Sequence, residues 1–399
     1  MMNAQEFENL SARVSRAVQQ DRLLATARTL IDIPSPTGEA GAVSDRLAEM
    51  LADEGFDVSR SSGGYPAAPA VVVRLKGKSG GKRLQFDGHL DTVHLPFVPS
   101  TVEGDLLKGS GASDMKAGVV AAVEALRVIR ELDLVPVGEI LLTAHDLHEA
   151  PWGDGSQHEN MIREGIHGDA VLIPEYTTDY LPVIGRGNSV FKIVVKRAGS
   201  KVHEVYRPLD VPHPISVLAR IVTAFDELGQ ELSRQSHPTA GNESLFLGQI
   251  HCGEIYNQFP IEGWIEGTRR WLPGRSAIDV EAQLREVLGR IAAETGAEIE
   301  MKFQVIRDAF ELPLEDPLIE AFQSSVSQVR GERLLPGAKP FVDDGSSFWK
   351  LAGIPAITHG PKAAGAHTLN EWVSISDLCK VAAVYALTAA LYCPGGASA

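Results

Sequence analysis

The sequence predicts an α/β layer fold interrupted by a second, α+β unit, and three observations carry that prediction. Short β-rich runs alternate with helical stretches through roughly the first 175 residues, the rhythm of strands packed beneath helices. Between about 187 and 306 the order becomes β-α-β-β-α-β, the ferredoxin-like arrangement. After it the first rhythm returns. One α/β domain, 1–186 with 307–399, is therefore expected to be split by an insertion at 187–306.

The elements follow in order. Residues 5–32 read as one helix, with Leu23, Leu24, Ala27 and Leu30 at helical spacing and Pro34 and Pro36 ending it. A second helix over 39–54 presents Val43, Leu47, Met50 and Leu51 on one face and stops at Gly55. Gly, Ser and Pro cluster in 61–69 as a loop. Strands are expected at 70–75, 83–86, 139–144 and 170–173, with helices at 117–130 and 160–165. In the insertion, strands at 189–195, 245–251, 264–271 and 297–305 flank helices at 214–232 and 277–294. A helix at 314–329, a strand at 356–359 and a helix at 374–391 close the chain.

Composition narrows the function. Of 399 residues, 44% are hydrophobic and 22% charged, ample for a sizeable core. Asp and Glu number 52 against 37 Lys and Arg, giving a net charge of −15 with no basic run. Such a surface repels phosphate backbones, so nucleic acid is not an expected partner. No apolar run reaches the ~18–20 residues that cross a bilayer. The first 22 residues mix Glu6, Glu8, Arg13, Arg16 and Asp21 among apolar ones, unlike a signal peptide. The expected location is the cytoplasm, away from membranes. Cys252, Cys379 and Cys393 are odd in number and far apart, as reduced thiols are, and no CxxC pair offers a cysteine zinc site.

Five short motifs stand at strand ends or before helices. Gly88-His89-Leu90-Asp91-Thr92-Val93 follows a β-rich run; its His can ligate a metal while its Asp accepts from the other ring nitrogen. Gly109-Ser110-Gly111-Ala112-Ser113-Asp114-Met115-Lys116-Ala117-Gly118 leads into a helix. It lacks the GKS/T of a phosphate loop, and Asp114 alone would read as a helix cap. Then come His145-Asp146-Leu147-His148-Glu149, Pro174-Glu175-Tyr176, and Gly365-Ala366-His367-Thr368-Leu369-Asn370-Glu371.

As an ordered set these motifs resemble the co-catalytic metallopeptidase and deacylase family of acetylornithine deacetylase, succinyl-diaminopimelate desuccinylase, aminoacylase and carboxypeptidase G. The resemblance spans about 20–392, with 35 residues from Asp114 to Glu149 and 26 from Glu149 to Glu175. It implies a mixed-sheet, aminopeptidase-like catalytic domain with an inserted ferredoxin-like lid that dimerises. It implies one or two divalent ions, Zn²⁺, Mn²⁺ or Co²⁺, held by His89, Asp114, Glu149, Glu175 and His367, with Asp114 bridging and Asp91 orienting His89. In the lid, His203 would reach the partner subunit's site and donate to a developing oxyanion, while Asn257 and Arg270 would grip a carboxylate-bearing substrate.

The chain departs from this pattern in places. The family has two adjacent acids at the third motif, the first being the general base; here that position is His148. Imidazole can take a proton, but nearby cations weaken it as a base. Asp146 is the other candidate. Tyr176 replaces a usual Pro, and Gly345 stands in Asp343-Asp344-Gly345-Ser346-Ser347 where an acid is frequent. Three activities remain open: hydrolysis of an N-acyl amino acid or small peptide; hydrolytic removal of ammonia from an electron-poor aromatic amine, as in a nitroanthranilate aminohydrolase; and a catalytically silent metal-binding relative.

Overall fold

The structure is a computed structural model describing residues 3–149, 153–176, 180–234, 236–338 and 344–394. It divides into two compact units, Met1–Val183 with Leu312–Pro336 and Ser347–Ala399, and Ile184–Glu311 with Gly337–Ser346.

The first unit begins with α1 (Ala4–Ala17), α2 (Gln20–Ile31) and α3 (Gly41–Asp53). The single helix expected over 5–32 is thus two. Buried Glu124 is the physical reason: its Oε1 accepts the N–H of Gln19 at 2.9 Å, and its carboxylate also holds the Arg22 guanidinium. That bond outweighs continuation of the helix through Val18, which is extended. Next come β1 (Asp57–Ser61), which the sequence did not signal, β2 (Ala70–Lys76), β3 (Lys78–His89), α4 (Lys116–Leu132), β4 (Val137–His145), α5 (Ser156–Arg163) and β5 (Ala170–Ile173).

In the second unit, β6 (Gly187–Lys196), α6 (Pro214–Leu232), β7 (Ser244–Cys252), β8 (Glu262–Trp271), α7 (Ala277–Thr295) and β9 (Glu298–Arg307) follow the ferredoxin-like order. The four strands form an antiparallel sheet in the order β7-β8-β6-β9. Phe191, Ile193 and Val195, alternating along β6, meet Leu218, Ile221 and Phe225 of α6 and Leu284, Leu288 and Ile291 of α7. Each such burial contributes about 1.5–3 kcal/mol. β7 is an edge strand with Phe246 and Ile250 more than half exposed.

The chain then returns to the first unit with α8 (Pro317–Arg330), β10 (Ala356–Thr358) and α9 (Ile375–Tyr392). Its mixed sheet runs β1-β2-β4-β3-β5-β10; β3, β4, β5 and β10 are mutually parallel. Leu84 and Phe86 on β3 face α4 and α9, where Phe86 stacks on Tyr385 at 5.1 Å. Gln85, Asp87 and His89 point to the opposite face, that of α5. Among the described residues α9 is the one helix long and apolar enough to span a bilayer, and it is mostly buried as a core helix.

Candidate metal centre

The register of the parallel strands brings the motifs together. His89 ends β3 opposite His145 at the end of β4, and β5 ends in the same direction at Ile173. The segments 90–93, 146–149 and 174–176 therefore emerge along one sheet edge, the carboxyl end where parallel α/β sheets form sites. Two glycines permit the close approach. A Cβ on Gly118 of α4 would lie 1.9 Å from the Pro174 carbonyl oxygen, and one on Gly360 would lie 2.2 Å from that of Glu175.

Asp114 stands between two half-sites. Its Oδ1 is 3.1 Å from His89 Nε2, which is 3.5 Å from Glu175 Oε1. Its Oδ2 is 3.5 Å from His367 Nε2, which is 3.1 Å from Glu149 Oε2. The three carboxylates are at most 8% exposed. His367 adopts φ of +61°, left-handed backbone that costs about 1–3 kcal/mol for a residue with a Cβ. The Gly365–Thr368 turn holds it there through Thr368 N–H and Oγ1, both donating to the Gly365 oxygen.

The supporting contacts refine the roles read from sequence. His89 Nδ1 faces the main-chain oxygen of Asp91 at 3.0 Å, while the Asp91 carboxylate lies farther, at 3.6 Å. Asp91 Oδ2 instead accepts the N–H groups of His148 (3.1 Å) and Glu149 (2.8 Å) and the Thr37 hydroxyl (3.0 Å). Asp91 thus fixes the turn bearing Glu149. His148 stacks in parallel on His89, with ring centroids 4.0 Å apart, against the centre. Asp146 is buried and accepts from the N–H groups of Gly38, Ala40 and Leu147. It holds the 38–40 turn.

Sequence reasoning missed Glu371, although it lies inside a quoted motif. Its buried carboxylate accepts from Gly111 N (3.2 Å), Ser113 N (3.1 Å), Ser113 Oγ (3.0 Å) and Asp114 N (3.2 Å), pinning the loop that presents Asp114. Asp343, quoted with Gly345, lies outside the described residues; Gly345 begins a helix through Ala352. Tyr176 follows Glu175, and burial together with that carboxylate raises its phenol pKa.

In the second unit His203 and Asn257 meet, with ring Nε2 and amide Nδ2 3.2 Å apart on an exposed surface. Arg270 lies on β8, half-buried, and its Nη1 has no hydrogen-bond partner among the described residues. Burial lowers its pKa, and the neighbouring Arg186 cation adds to the effect.

The electrostatics ask for cations. Burial works against a charged His89 ring, yet the carboxylates of Asp114, Glu175 and Asp91 outweigh it and raise its pKa well above the ordinary value. His367 is raised to about 10 by hydrogen bonding to Asp114 and then Glu149, against some burial. With a folded pKa above the unfolded ~6.5, His367 contributes stability that is complete below pH ~6.5 and lost as pH rises through about 10. The metal-stripped chain should therefore melt progressively lower between pH 7 and pH 10. Divalent metal should flatten that slope in a thermal-shift series, because ions then stand where the protons stood. Three buried carboxylates with two imidazoles fit divalent Zn²⁺, Mn²⁺ or Co²⁺, whose N/O ligands they are.

A sheet edge that gathers three buried carboxylates and two imidazoles could hold divalent metal ions. The pattern of Peptidase family M20/M25/M40 matches residues 86–391, and the chain belongs to that family. It is similar to N-formyl-4-amino-5-aminomethyl-2-methylpyrimidine deformylase of Bacillus subtilis strain 168, at 25% identity over 94% of this chain and 95% of the relative. Succinyl-diaminopimelate desuccinylase of Cereibacter sphaeroides is 26% identical over 91% and 96%. Among solved structures, the aminopeptidase PepT of Bacillus cereus superposes with a TM-score of 0.80, at 19% identity and covering 94% and 99%. The chain is a metal-dependent hydrolase acting on carbon–nitrogen bonds.

Proposed function

We propose that the enzyme cleaves the amide of an N-acyl amino acid or small peptide that bears a free carboxylate. The observation behind this reading is Asp114, one oxygen turned to each half-site, with His89 and Glu175 on one side and Glu149 and His367 on the other. Divalent ions held by these residues would supply Lewis-acid chemistry, polarising the scissile carbonyl and making water a better nucleophile. The chain's own residues do the rest. Arg270, whose Nη1 has no hydrogen-bond partner among the described residues, takes the substrate carboxylate. His148 accepts the proton of the attacking water and returns it to the leaving nitrogen. Asn257 grips the substrate with Arg270, and His203 donates to the oxygen on which charge develops, in the site of a partner subunit.

That last role needs a homodimer, which the exposed edge strand β7 could form by pairing with its twin. His203→Ala should lower kcat by roughly 10²–10³, as loss of an oxyanion donor does, with metal content unchanged. A fully active monomer by light scattering would count against this arrangement. The three free thiols fit a reducing compartment such as the cytoplasm.

His148 in place of an acid gives the aminohydrolase reading its one support. A panel of N-acyl amino acids, dipeptides and electron-poor aromatic amines, run with the metal-loaded enzyme, separates the two. Turnover of the acyl amides is expected; ammonia release from the aromatic amines alone would overturn the proposal.

A further inference from the structure

His203 and Asn257 stand on two largely exposed segments of the second unit, yet their side chains meet, ring Nε2 to amide Nδ2. Regular structure accounts for little of this. Val202 and His203 pair antiparallel with Phe259 and Gln258, a ladder two residues long, and the Glu204 N–H donates to the Asn257 oxygen. A two-stranded ribbon, even a longer one, is marginal in water. A further group has to set the two segments against each other.

That group is Arg197, the residue after β6, which is 6% exposed. Its guanidinium is a fork between the segments. Nη1 donates to the Ala198 oxygen at 2.8 Å and Nη2 to the Ser200 oxygen at 2.9 Å, both on the way to His203. Nη2 also donates to the Phe259 oxygen at 3.0 Å, and Nε to the Pro260 oxygen at 2.6 Å, both just beyond Asn257. The Phe259 ring lies against the guanidinium, its centroid 4.0 Å from the central carbon. We propose that Arg197 is the positioning residue that holds His203 and Asn257 in one working arrangement. The inference rests on the roles proposed above for those two side chains.

The acceptors explain why an arginine stands here. All four are main-chain carbonyl oxygens, so the side chain fixes where the backbone runs. A planar fork of five N–H donors can hold two segments at a set spacing; an ammonium, with three donors on a flexible stem, cannot. Burial adds to the hold, because a carbonyl that loses its donor in the interior has no water to replace it. The stack on Phe259 fixes the plane of the fork.

The functional consequence is one of placement. An oxyanion donor works at about 2.7–3.1 Å from the oxygen it stabilises. A displacement of ~1 Å can cost about 10²-fold in rate. Arg197 touches neither His203 nor Asn257 in its described bonds, so its effect on turnover passes through the backbone that carries them.

The test is a double-mutant cycle on the metal-loaded full chain, with kcat and KM measured on the substrate turned over fastest in the panel above, together with a crystal of the Arg197 variant. Arg197→Gln should lower kcat by about 10–10²-fold and raise KM, since His203 and Asn257 both shift. In a His203→Ala background the same change should alter kcat by less than about threefold, because the group it positions is gone, while the rise in KM remains. The crystal should show the β7-β8-β6-β9 sheet intact and His203 and Asn257 parted. Arg197→Lys, which keeps the charge and loses the fork, should share the fall in kcat. Equal falls in both backgrounds would overturn the inference. So would a fully active lysine variant, or an Arg197→Gln crystal in which the pair still meets. Should the glutamine variant fail to fold, the lysine variant carries the cycle and the crystal; failure of both to fold would mark Arg197 as a residue of the fold alone and overturn the inference as well. Should His203→Ala leave kcat unchanged, the oxyanion reading fails by itself, and the crystal decides whether Arg197 positions the pair.

Discussion

Asp114→Ala should empty both half-sites together and reduce turnover by roughly 10³-fold or more, since several kcal/mol of charge stabilisation depart with the ions. The expectation follows from one carboxylate serving two neighbours, with Oδ1 toward His89 and Oδ2 toward His367. Glu175→Ala provides the contrast. Its described contact is with His89, so the His367–Glu149 side should keep an ion. Elemental analysis of the two variants, prepared identically, distinguishes a bridged pair from two independent sites. Equal metal loss in both would contradict a bridge. The fold should survive in each case, because the Asp114 loop is held by Glu371 through the N–H groups of Gly111, Ser113 and Asp114.

The second large effect belongs to His148. His148→Ala should lower kcat by roughly 10²–10⁴, the usual size of a general-base contribution. Metal should remain, since Glu149 is intact and its turn is still fixed by Asp91. Loss of an ion instead would mark His148 as a ligand, which its stacking on His89 near Glu175 makes a pointed alternative. His148→Glu sharpens the test by restoring the family's acid. A deacylase should keep or gain activity on N-acyl amino acids. An aminohydrolase should lose its own reaction and gain little amidase activity. An alanine variant within about threefold of the native enzyme would show that the proton travels elsewhere.

Much of this was legible in the sequence because it rests on local patterns. The second unit's helices announce themselves by apolar spacing and by Pro214 and Gly296 at their ends, and its strands by alternation. The five proposed ligand positions could be named from the sequence because each sits within a short motif of fixed order, four of them beside a strand end or a helix start and His367 in a turn. What the sequence hid depends on partners far along the chain. The break between α1 and α2 comes from Glu124, more than a hundred residues away. β1 carries Asp57, Ser59, Arg60 and Ser61, too polar to read as a strand until it pairs with β2. Glu371 reads as one more polar residue of a turn, and its task appears only when the fold brings the Asp114 loop to it.

The most direct test of a metal-dependent hydrolase built on Asp114 is turnover by the chain before and after chelation. Stripped of metal, it should hydrolyse nothing above background, and Zn²⁺, Mn²⁺ or Co²⁺ should restore activity as the Asp114 centre fills. Full turnover by a preparation shown to hold no metal would contradict the account.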